Sequence, residues 1–318
     1  MKTVLDIVLL LIGFVLLIKG ADFLVDGAVG FARKFKVPTL VIGMTIVAFG
    51  TSAPEAAVSI SAAFAGANEI SVANVLGSNI FNLLMVGGIS AMIRTLPIKP
   101  ISVSRDYPFH LVITAVLLIL FMDVTLGGQD TNMLSCADGL ILLLLMGIYM
   151  YINIKDGIKG EEAEAEEVVK FSFWKSLLFF VGGLCGVVIG GDLVVDSATS
   201  LARAIGVSDM LIGLTIVAMG TSLPELVTSA VAGKKGESDL AWGNIVGSNV
   251  FNILFVLGLS SAVHPVPITM ASIYDTAILI GIALVIYLAT VHSKKIQRPM
   301  GIAMVAAYLA YTAYIIIR

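Results

Sequence analysis

Long apolar stretches, separated by short polar segments, dominate this chain. Most stretches hold about 20 residues, the length that an α-helix needs to cross about 30 Å of hydrocarbon. Charged residues, proline or glycine bound each stretch. The first and the sixth are longer than a bilayer requires, so we expect them to be tilted. The pattern predicts ten transmembrane helices, at residues 3–30, 39–64, 70–93, 108–123, 137–154, 173–202, 209–232, 239–262, 270–291 and 299–317.

The chain also matches itself at an offset of 170 residues. Residues 20–55 align with residues 190–225 without gaps, with 19 identities in 36 positions. At the same offset, NVLGSNIFN (74–82) aligns with NIVGSNVFN (244–252). A constant offset across separate segments indicates duplication.

Each copy holds five predicted helices, an odd number, so the second copy enters the membrane upside down. The predicted fold is therefore an all-α membrane protein, with ten transmembrane helices in two inverted five-helix repeats. The repeats span residues 1–154 and 173–318. Residues 155–172 form an acidic cytoplasmic linker. Its stretch GEEAEAEE (160–167) is interpreted as solvated, with Ca²⁺ sensing as the alternative.

Composition agrees with a membrane protein: 58% of residues are hydrophobic and 13% are charged, whereas soluble domains carry about 25% charged residues. The apolar N-terminus is interpreted as the first helix and not a signal peptide, because no small-residue cleavage site follows it. The only cysteines, Cys136 and Cys185, lie far apart and suggest neither a disulfide framework nor a zinc site.

The distribution of Lys and Arg predicts the orientation. With the N-terminus outside, 15 of the 19 basic residues fall in inside loops, and Lys2, Arg203 and Arg318 fall outside. Lys19 lies within a span, and we interpret it as paired with Asp22 three residues later. The chain is thus expected to be a multi-pass protein of the cell inner (plasma) membrane.

Two carboxylates, Glu55 and Glu225, lie within apolar spans. A carboxylate at that depth is costly and indicates a partner, a cavity or an ion. The alternative is pairing with a buried Lys or Arg, but neither span contains one before its ends. We interpret both as cation ligands.

A Thr-Ser-x-Pro sequence precedes each carboxylate. Proline removes a backbone donor and clashes with the carbonyl four residues earlier, here that of Gly50 or Gly220. We expect these carbonyls to be freed for a cation. The alternative for the hydroxyls is back-bonding to their own helix. The residues are Thr51, Ser52 and Pro54 in the first copy, and Thr221, Ser222 and Pro224 in the second.

A second repeated motif, GSN-x-FN, adds hydroxyls and amides. Its first and last polar residues are four apart and share one helical face. The middle asparagines, Asn79 and Asn249, are expected to form hydrogen bonds between packed helices instead. The remaining polar residues of the motif are Ser78, Asn82, Ser248 and Asn252.

Other intramembrane polar residues carry weaker signals. Asp22 and Asp26 share a helical face near one end of the first span, as Asp192 and Asp196 do in the sixth. We expect both pairs at an interface or a cavity mouth. Three histidines at predicted helix ends are expected to be interfacial: His110, His264 and His292.

The predicted ligands are all oxygens, which suit Ca²⁺, Mg²⁺, Na⁺ or Mn²⁺, and Mg²⁺ tolerates such a cage poorly. Two carboxylates neutralise one Ca²⁺, or equally Na⁺ ions or protons, which is a physical basis for exchange. Two bare charges in an ion-free site are costly, which enforces antiport. No P-loop pattern occurs, so an ion gradient and not ATP is expected to drive transport. No cofactor, nucleic acid or second subunit is implied.

GTSAPE and GTSLPE, each followed by GSN-x-FN, resemble the α-repeats of the Ca²⁺/cation antiporter superfamily, and most of all prokaryotic Na⁺/Ca²⁺ exchangers. The resemblance implies Na⁺/Ca²⁺ antiport, with ion sites between the second, third, seventh and eighth helices. It also implies that the first and sixth helices slide across the other eight. The implied central Ca²⁺ site is Glu55, Glu225, Thr51 and Thr221; flanking Na⁺ sites use Ser52, Ser78, Ser222, Ser248 and the carbonyls of Ala48 and Ala218; Asn82 and Asn252 complete the ring.

The chain departs from some archaeal relatives, which have Asp where Asn252 stands. The site then carries two acidic groups, and K⁺ coupling, typical of the Asp form, is not implied. H⁺/Ca²⁺ or other cation exchange stays open as the alternative. A channel is disfavoured because one chain supplies both halves of the site. An enzyme is disfavoured because no nucleophile and base arrangement is present.

Overall fold

The computed structural model describes residues 2–66, 68–128, 130–159, 172–207, 212, 216 and 218–317. In the first half, the helices are α1 (Lys2–Phe35), α2 (Thr39–Thr51), α3 (Ala53–Phe64), α4 (68–93), α5 (Ser102–Leu120) and α6 (Cys136–Lys159). In the second half, they are α7 (Phe173–Ala204), α8 (Leu223–Lys235), α9 (Ser238–Val263), α10 (Met270–Ser293) and α11 (Arg298–Ile317). A helical turn, Ala218–Gly220, precedes α8.

Among these described residues, eight helices are long and apolar enough to cross a membrane, and α2 with α3 makes a ninth if the bent pair is one span. The prediction of an all-α, multi-pass membrane protein is therefore confirmed. Most of residues 209–217, at the start of the predicted span 209–232, lie outside the described residues, as does most of the linker 155–172, including the acidic stretch considered for Ca²⁺ sensing.

Helices α1 and α7 run antiparallel in direct backbone contact. The two backbones meet at glycines along this seam: a Cβ added at Gly20 would lie 2.9 Å from the Gly183 carbonyl oxygen, and one at Gly190 would lie 2.8 Å from the Gly13 oxygen. Glycine allows such close approach because it lacks a Cβ. Gly182, in contrast, faces away from α1 and has nothing within 4 Å of its added Cβ. The two longest helices thus form one tightly packed pair.

One amino group ties α1 to α8. Lys235 Nζ lies 2.7 Å from both Asp22 Oδ1 and Asp26 Oδ1, and it donates to the Asp22 carbonyl oxygen at 2.9 Å. Lys19 is exposed, so the predicted pairing of Lys19 with Asp22 is wrong. The counterpart carboxylates on α7, Asp192 and Asp196, are exposed to solvent or lipid.

Two short antiparallel ladders connect loops from the two halves of the chain. Strand β1 (Leu96–Pro97) pairs with β4 (Lys295–Ile296), and β2 (Met133–Leu134) pairs with β3 (Val266–Pro267). Each ladder gives hydrogen-bond partners to backbone N–H and C=O groups of the loops between helices. Each also joins loops that the helix count assigns to the same side of the membrane.

Helices α4 and α9 form the centre of the bundle and are the most buried of the candidate spans. Each contains a π-helical segment, Asn82–Val86 in α4 and Asn252–Leu257 in α9. Such segments often mark functional sites. In both helices the π segment begins at an asparagine of the repeated motif.

The second predicted span is not one straight helix. It breaks at Ser52, where α2 and α3 meet at a bend of 48°. Pro54 occupies the first turn of α3, where a missing N–H is tolerated. At the break, the Ser52 N–H donates to the Ala48 carbonyl oxygen at 3.0 Å and the Ala56 N–H donates to the Ser52 carbonyl oxygen at 3.1 Å. The freed Gly50 carbonyl stays a prediction.

The α1–α7 seam predicts a sharp contrast between adjacent glycines. In Gly183→Ala the new methyl group meets the Gly20 carbonyl oxygen at 2.6 Å, so the helices must separate. We expect a loss of about 1–3 kcal/mol, the usual range for overpacking. The thermal unfolding midpoint of the purified protein measures it. Gly182→Ala is the matched control and should unfold at or above the wild-type temperature; equal midpoints for the two variants would contradict the seam.

Candidate cation site

Each buried carboxylate sits at the start of a helix. Glu55 lies in the first turn of α3 and Glu225 in the first turn of α8, and both are 0% exposed. The positive end of a helix dipole stabilises a carboxylate there. Ser52, directly before α3, bonds to Glu225, and Ser222, directly before α8, bonds to Glu55, so the two helix starts lie side by side. The interruptions of the helix before α3 and before α8 therefore bring two helix N-termini, each carrying a glutamate, to one buried site.

Two serines connect the halves crosswise. Ser52 donates to Glu225 Oε1 at 2.8 Å, and Ser222 donates to Glu55 Oε1 at 2.9 Å. Both serines precede their helices at the N-cap, yet neither caps its own backbone. A capping serine normally accepts from its own helix. Here each hydroxyl instead serves the carboxylate of the opposite half.

Helices α4 and α9 supply a further hydroxyl each. Ser78 lies 3.5 Å from Glu55 Oε1, and Ser248 lies 3.3 Å from Glu225 Oε1. The second oxygen of each carboxylate, Oε2, is buried without a hydrogen-bond partner. Among the described residues, neither glutamate forms an ion pair with Lys or Arg, which removes the alternative of a neutralised buried acid for that part of the chain.

The threonines before the breaks are not equivalent. The Thr51 hydroxyl lies 3.1 Å from Asn244 Oδ1 and 3.4 Å from the Ala48 carbonyl oxygen. The Thr221 hydroxyl is buried and has no hydrogen-bond partner. Ala48 is fully buried at the end of α2, and Ala218 begins the helical turn before α8.

Asn79 and Asn249 clasp each other where α4 and α9 cross. Each side-chain amide donates to the other residue's backbone carbonyl oxygen, at 3.2 Å in both directions. The prediction of helix–helix hydrogen bonds for these two residues is confirmed. The clasp fixes the register of the two helices that carry Ser78 and Ser248.

The last asparagines of the motif differ between the halves. Asn252 Nδ2 donates to Asn79 Oδ1 at 3.2 Å, while its own Oδ1 is buried without a partner. Both polar atoms of the Asn82 side chain are buried without a partner. Unpaired buried polar groups are rare and costly, so two amide oxygens here are available to a ligand.

Some contributors to the site were not predicted. Asn74 donates to the Glu55 carbonyl oxygen at 3.3 Å and to the Ser59 hydroxyl at 2.9 Å, and Asn244 donates to Ser229 at 3.0 Å. Both asparagines begin the segments that repeat at offset 170, which is the signal that could have found them.

His110 was also misjudged. It is fully buried within α5, with Nε2 3.5 Å from Asn249 Nδ2, so its predicted interfacial position is wrong. The predicted span began at residue 108, whereas the helix begins at Ser102 and carries His110 into the bundle. His264 and His292 are exposed at helix ends, as predicted.

The site offers oxygens almost exclusively: two carboxylates, four hydroxyls close to them, and amide oxygens beside them. No cluster of three His, Cys, Asp or Glu side chains occurs in the part of the chain that the structure describes. Hard oxygen donors of this kind suit alkali and alkaline-earth cations. This donor set suits a cation bound between the two halves of the bundle.

The crosswise serines predict a stability loss that does not depend on any ion. Ser222→Ala removes the 2.9 Å bond to Glu55 and leaves a buried carboxylate oxygen with one long contact. We expect a loss of about 1–3 kcal/mol, measured as the unfolding midpoint in cation-free buffer. Ser104→Ala, an exposed serine bonded only locally, is the control. An unchanged midpoint in Ser222→Ala would show that the crosswise bond does not contribute.

Comparison with known proteins agrees with this geometry. The family model described as "Sodium/calcium exchanger protein" matches residues 5–155 and 175–317. The chain is 36% identical over 309 residues to CaxA of Alkalimonas amylolytica (96% of each chain) and 32% identical over 317 residues to the inner membrane protein YrbG of Escherichia coli (96% and 95%). A structure of the sodium-calcium exchanger NCX_Mj superposes with TM-score 0.85 at 33% identity, covering 98% and 99% of the two chains. The chain belongs to the sodium/calcium exchanger family.

Proposed function

We propose that this protein exchanges Na⁺ for Ca²⁺ by alternating access at a site between Glu55 and Glu225. The observation that carries the proposal is the pair of fully buried carboxylates, one from each half, each bonded by the other half's serine. Such a pair is costly unless cations neutralise it. The similar NCX_Mj is a sodium-calcium exchanger by its title, which supports the same pair of ions.

The site residues divide by charge and position. Ca²⁺ prefers six to eight oxygens in flexible geometry, so the central position falls to the two carboxylates with the Thr51 and Thr221 hydroxyls. Na⁺ positions at the flanks draw on one carboxylate each, with neighbouring serines and a backbone carbonyl. The full proposed set is Glu55, Glu225, Thr51, Thr221, Ser52, Ser222, Ala48, Ala218, Ser78, Ser248, Asn82 and Asn252.

Charge balance provides the coupling. Either one Ca²⁺ or a set of monovalent cations neutralises the two glutamates. Binding of Ca²⁺ and binding of the monovalent cations exclude each other. The ion-free site keeps two like charges in a medium of low dielectric constant, which hinders its passage between the two access states. Exchange rather than leak follows. Proton exchange for Ca²⁺ is the second candidate, because protons neutralise the same oxygens.

We also propose that the ten helices form two inverted repeats, residues 1–154 and 173–318, with the N-terminus outside and residues 155–172 inside. The ladder between Leu96–Pro97 and Lys295–Ile296 supports this arrangement, since the helix count assigns both loops to the inside. The homologue YrbG is an inner membrane protein, which supports the same location here.

Ca²⁺ uptake into proteoliposomes tests the function. Vesicles loaded with Na⁺ and diluted into Na⁺-free medium should take up ⁴⁵Ca²⁺, and uptake should vanish with Na⁺ on both sides. Glu55→Gln and Glu225→Gln should each reduce the rate at least about a hundredfold, because each removes half of the neutralising charge. Glu69→Gln, the same change at an exposed glutamate in the first turn of α4, should leave it unchanged.

The choice of gradient separates the two candidates. Uptake driven by an outward H⁺ gradient, and not by Na⁺, would replace Na⁺ exchange by H⁺ exchange. Full activity of either glutamine variant would remove that glutamate from the site.

The orientation has its own test. Thr95 and Thr131 are exposed residues of the same type in loops assigned to opposite sides. In a background without Cys136 and Cys185, an impermeant maleimide should label Thr131→Cys in intact cells and label Thr95→Cys only after the membrane is opened. The reverse labelling would place the N-terminus inside.

A further inference from the structure

The clasp between Asn79 and Asn249 is two-fold symmetric in its backbone contacts but not in its side chains. Asn79 Oδ1 accepts a hydrogen bond from Asn252, whereas Asn249 Oδ1 is buried and without a partner. Asn249 Nδ2, in turn, has a second neighbour, the Nε2 atom of His110 at 3.5 Å. The corresponding helix of the second half, α10, has no histidine in residues 270–291, so the first half alone supplies a ring at this level.

The hydrogen bonds fix the chemistry of that contact. Asn249 Nδ2 donates to the Asn79 carbonyl oxygen. A flipped carboxamide would set two oxygens against each other, so the amide nitrogen must face His110. Because that nitrogen can only donate, we take His110 Nε2 as the acceptor and the ring as neutral, with its proton on Nδ1, an atom that is buried and has no partner among the described residues.

We propose that His110 is a positioning residue for the cation site. This inference rests on the proposed function. His110 Nε2 accepts a hydrogen bond from the second side-chain N–H of Asn249. This bond fixes the turn of α9 that carries Ser248, directly before Asn249, and Asn252, three residues after it. The ring touches neither carboxylate; it acts through Asn249. The contact orders the ligands of the second repeat only, so the two flanks of the site are unequal.

Burial supports a positioning role over a purely packing one. His110 is fully buried and its ring lies 5.7 Å from that of Tyr107. An apolar residue would fill the same volume without a polar group to satisfy, whereas His110 leaves its Nδ1 buried without a partner among the described residues. Within that part of the chain, the contact with Asn249 is the one polar contact that offsets this cost, since an unpaired amide N–H is itself costly.

Two substitutions separate the hydrogen bond from the volume. His110→Ile removes the acceptor, and His110→Gln keeps an acceptor oxygen. In the isoleucine variant we expect about fivefold weaker half-saturation by Ca²⁺, the worth of one hydrogen bond, with the maximal exchange rate within about twofold. The glutamine variant should recover the wild-type value. Ile280→Leu is the matched control and should have no effect.

The readout does not depend on transport. Half-saturation is measured in detergent from the rise of the unfolding midpoint with added Ca²⁺, and again from exchange in proteoliposomes. In an Asn249→Ala background, His110→Ile should cause no further loss, because the two residues act as one unit. Equal weakening by isoleucine and glutamine, or an undiminished loss in the Asn249→Ala background, would overturn the proposal. Wild-type protein that fails to exchange would instead overturn the proposed function.

A spectroscopic test avoids mutation of His110 altogether. The chain has three histidines, and the exposed His264 and His292 can be changed to glutamine, leaving His110 as the single ring. Its ¹⁵N signals should show a neutral imidazole with the proton on Nδ1. A proton on Nε2 would overturn the proposal even if His110→Ile did not fold.

Discussion

Two buried carboxylates, one from each half of the chain, constrain how the rest of this molecule is built. Glu55 and Glu225 are fully buried and near each other, and no described basic side chain neutralises them. Three features stabilise the buried carboxylates: the helix N-termini, the serine hydroxyls from the opposite half, and the fixed register of the two central helices. Each is a neutral device that lowers the cost of the charges without cancelling them. In the proposed function, a bound cation supplies the remaining neutralisation.

Much of this plan is readable from the chain. A carboxylate in an apolar stretch is rare enough to identify Glu55, and Pro54 beside it predicts a local break. The repeat at offset 170 identifies the partner. What the chain does not show is the exchange of hydroxyls between halves. Ser52 bonds to a residue 173 positions away, and only the packing of the two halves determines that contact.

The errors have physical causes. The polar run Ser-Val-Ser-Arg-Asp at residues 102–106 looked like a loop, but it forms a π-helical start of α5 and shifts His110 from an end to the interior. Lys235 was counted as a loop charge, yet it displaces Lys19 as the partner of Asp22. In both cases tertiary contacts between distant segments outweighed local sequence.

The Lys235 cluster gives the protein an unequal response to its surroundings. Its three charged groups are all partly exposed, at 26% for the lysine and 41% and 37% for the two aspartates. Dissolved salt weakens the attraction within such partly exposed ion pairs, whereas it cannot reach the backbone contacts between α1 and α7. The contact between α1 and α8 thus weakens as ionic strength rises. The backbone contacts between α1 and α7 are unaffected. The salt concentration on one side of the membrane therefore changes how tightly α1 is held against α8.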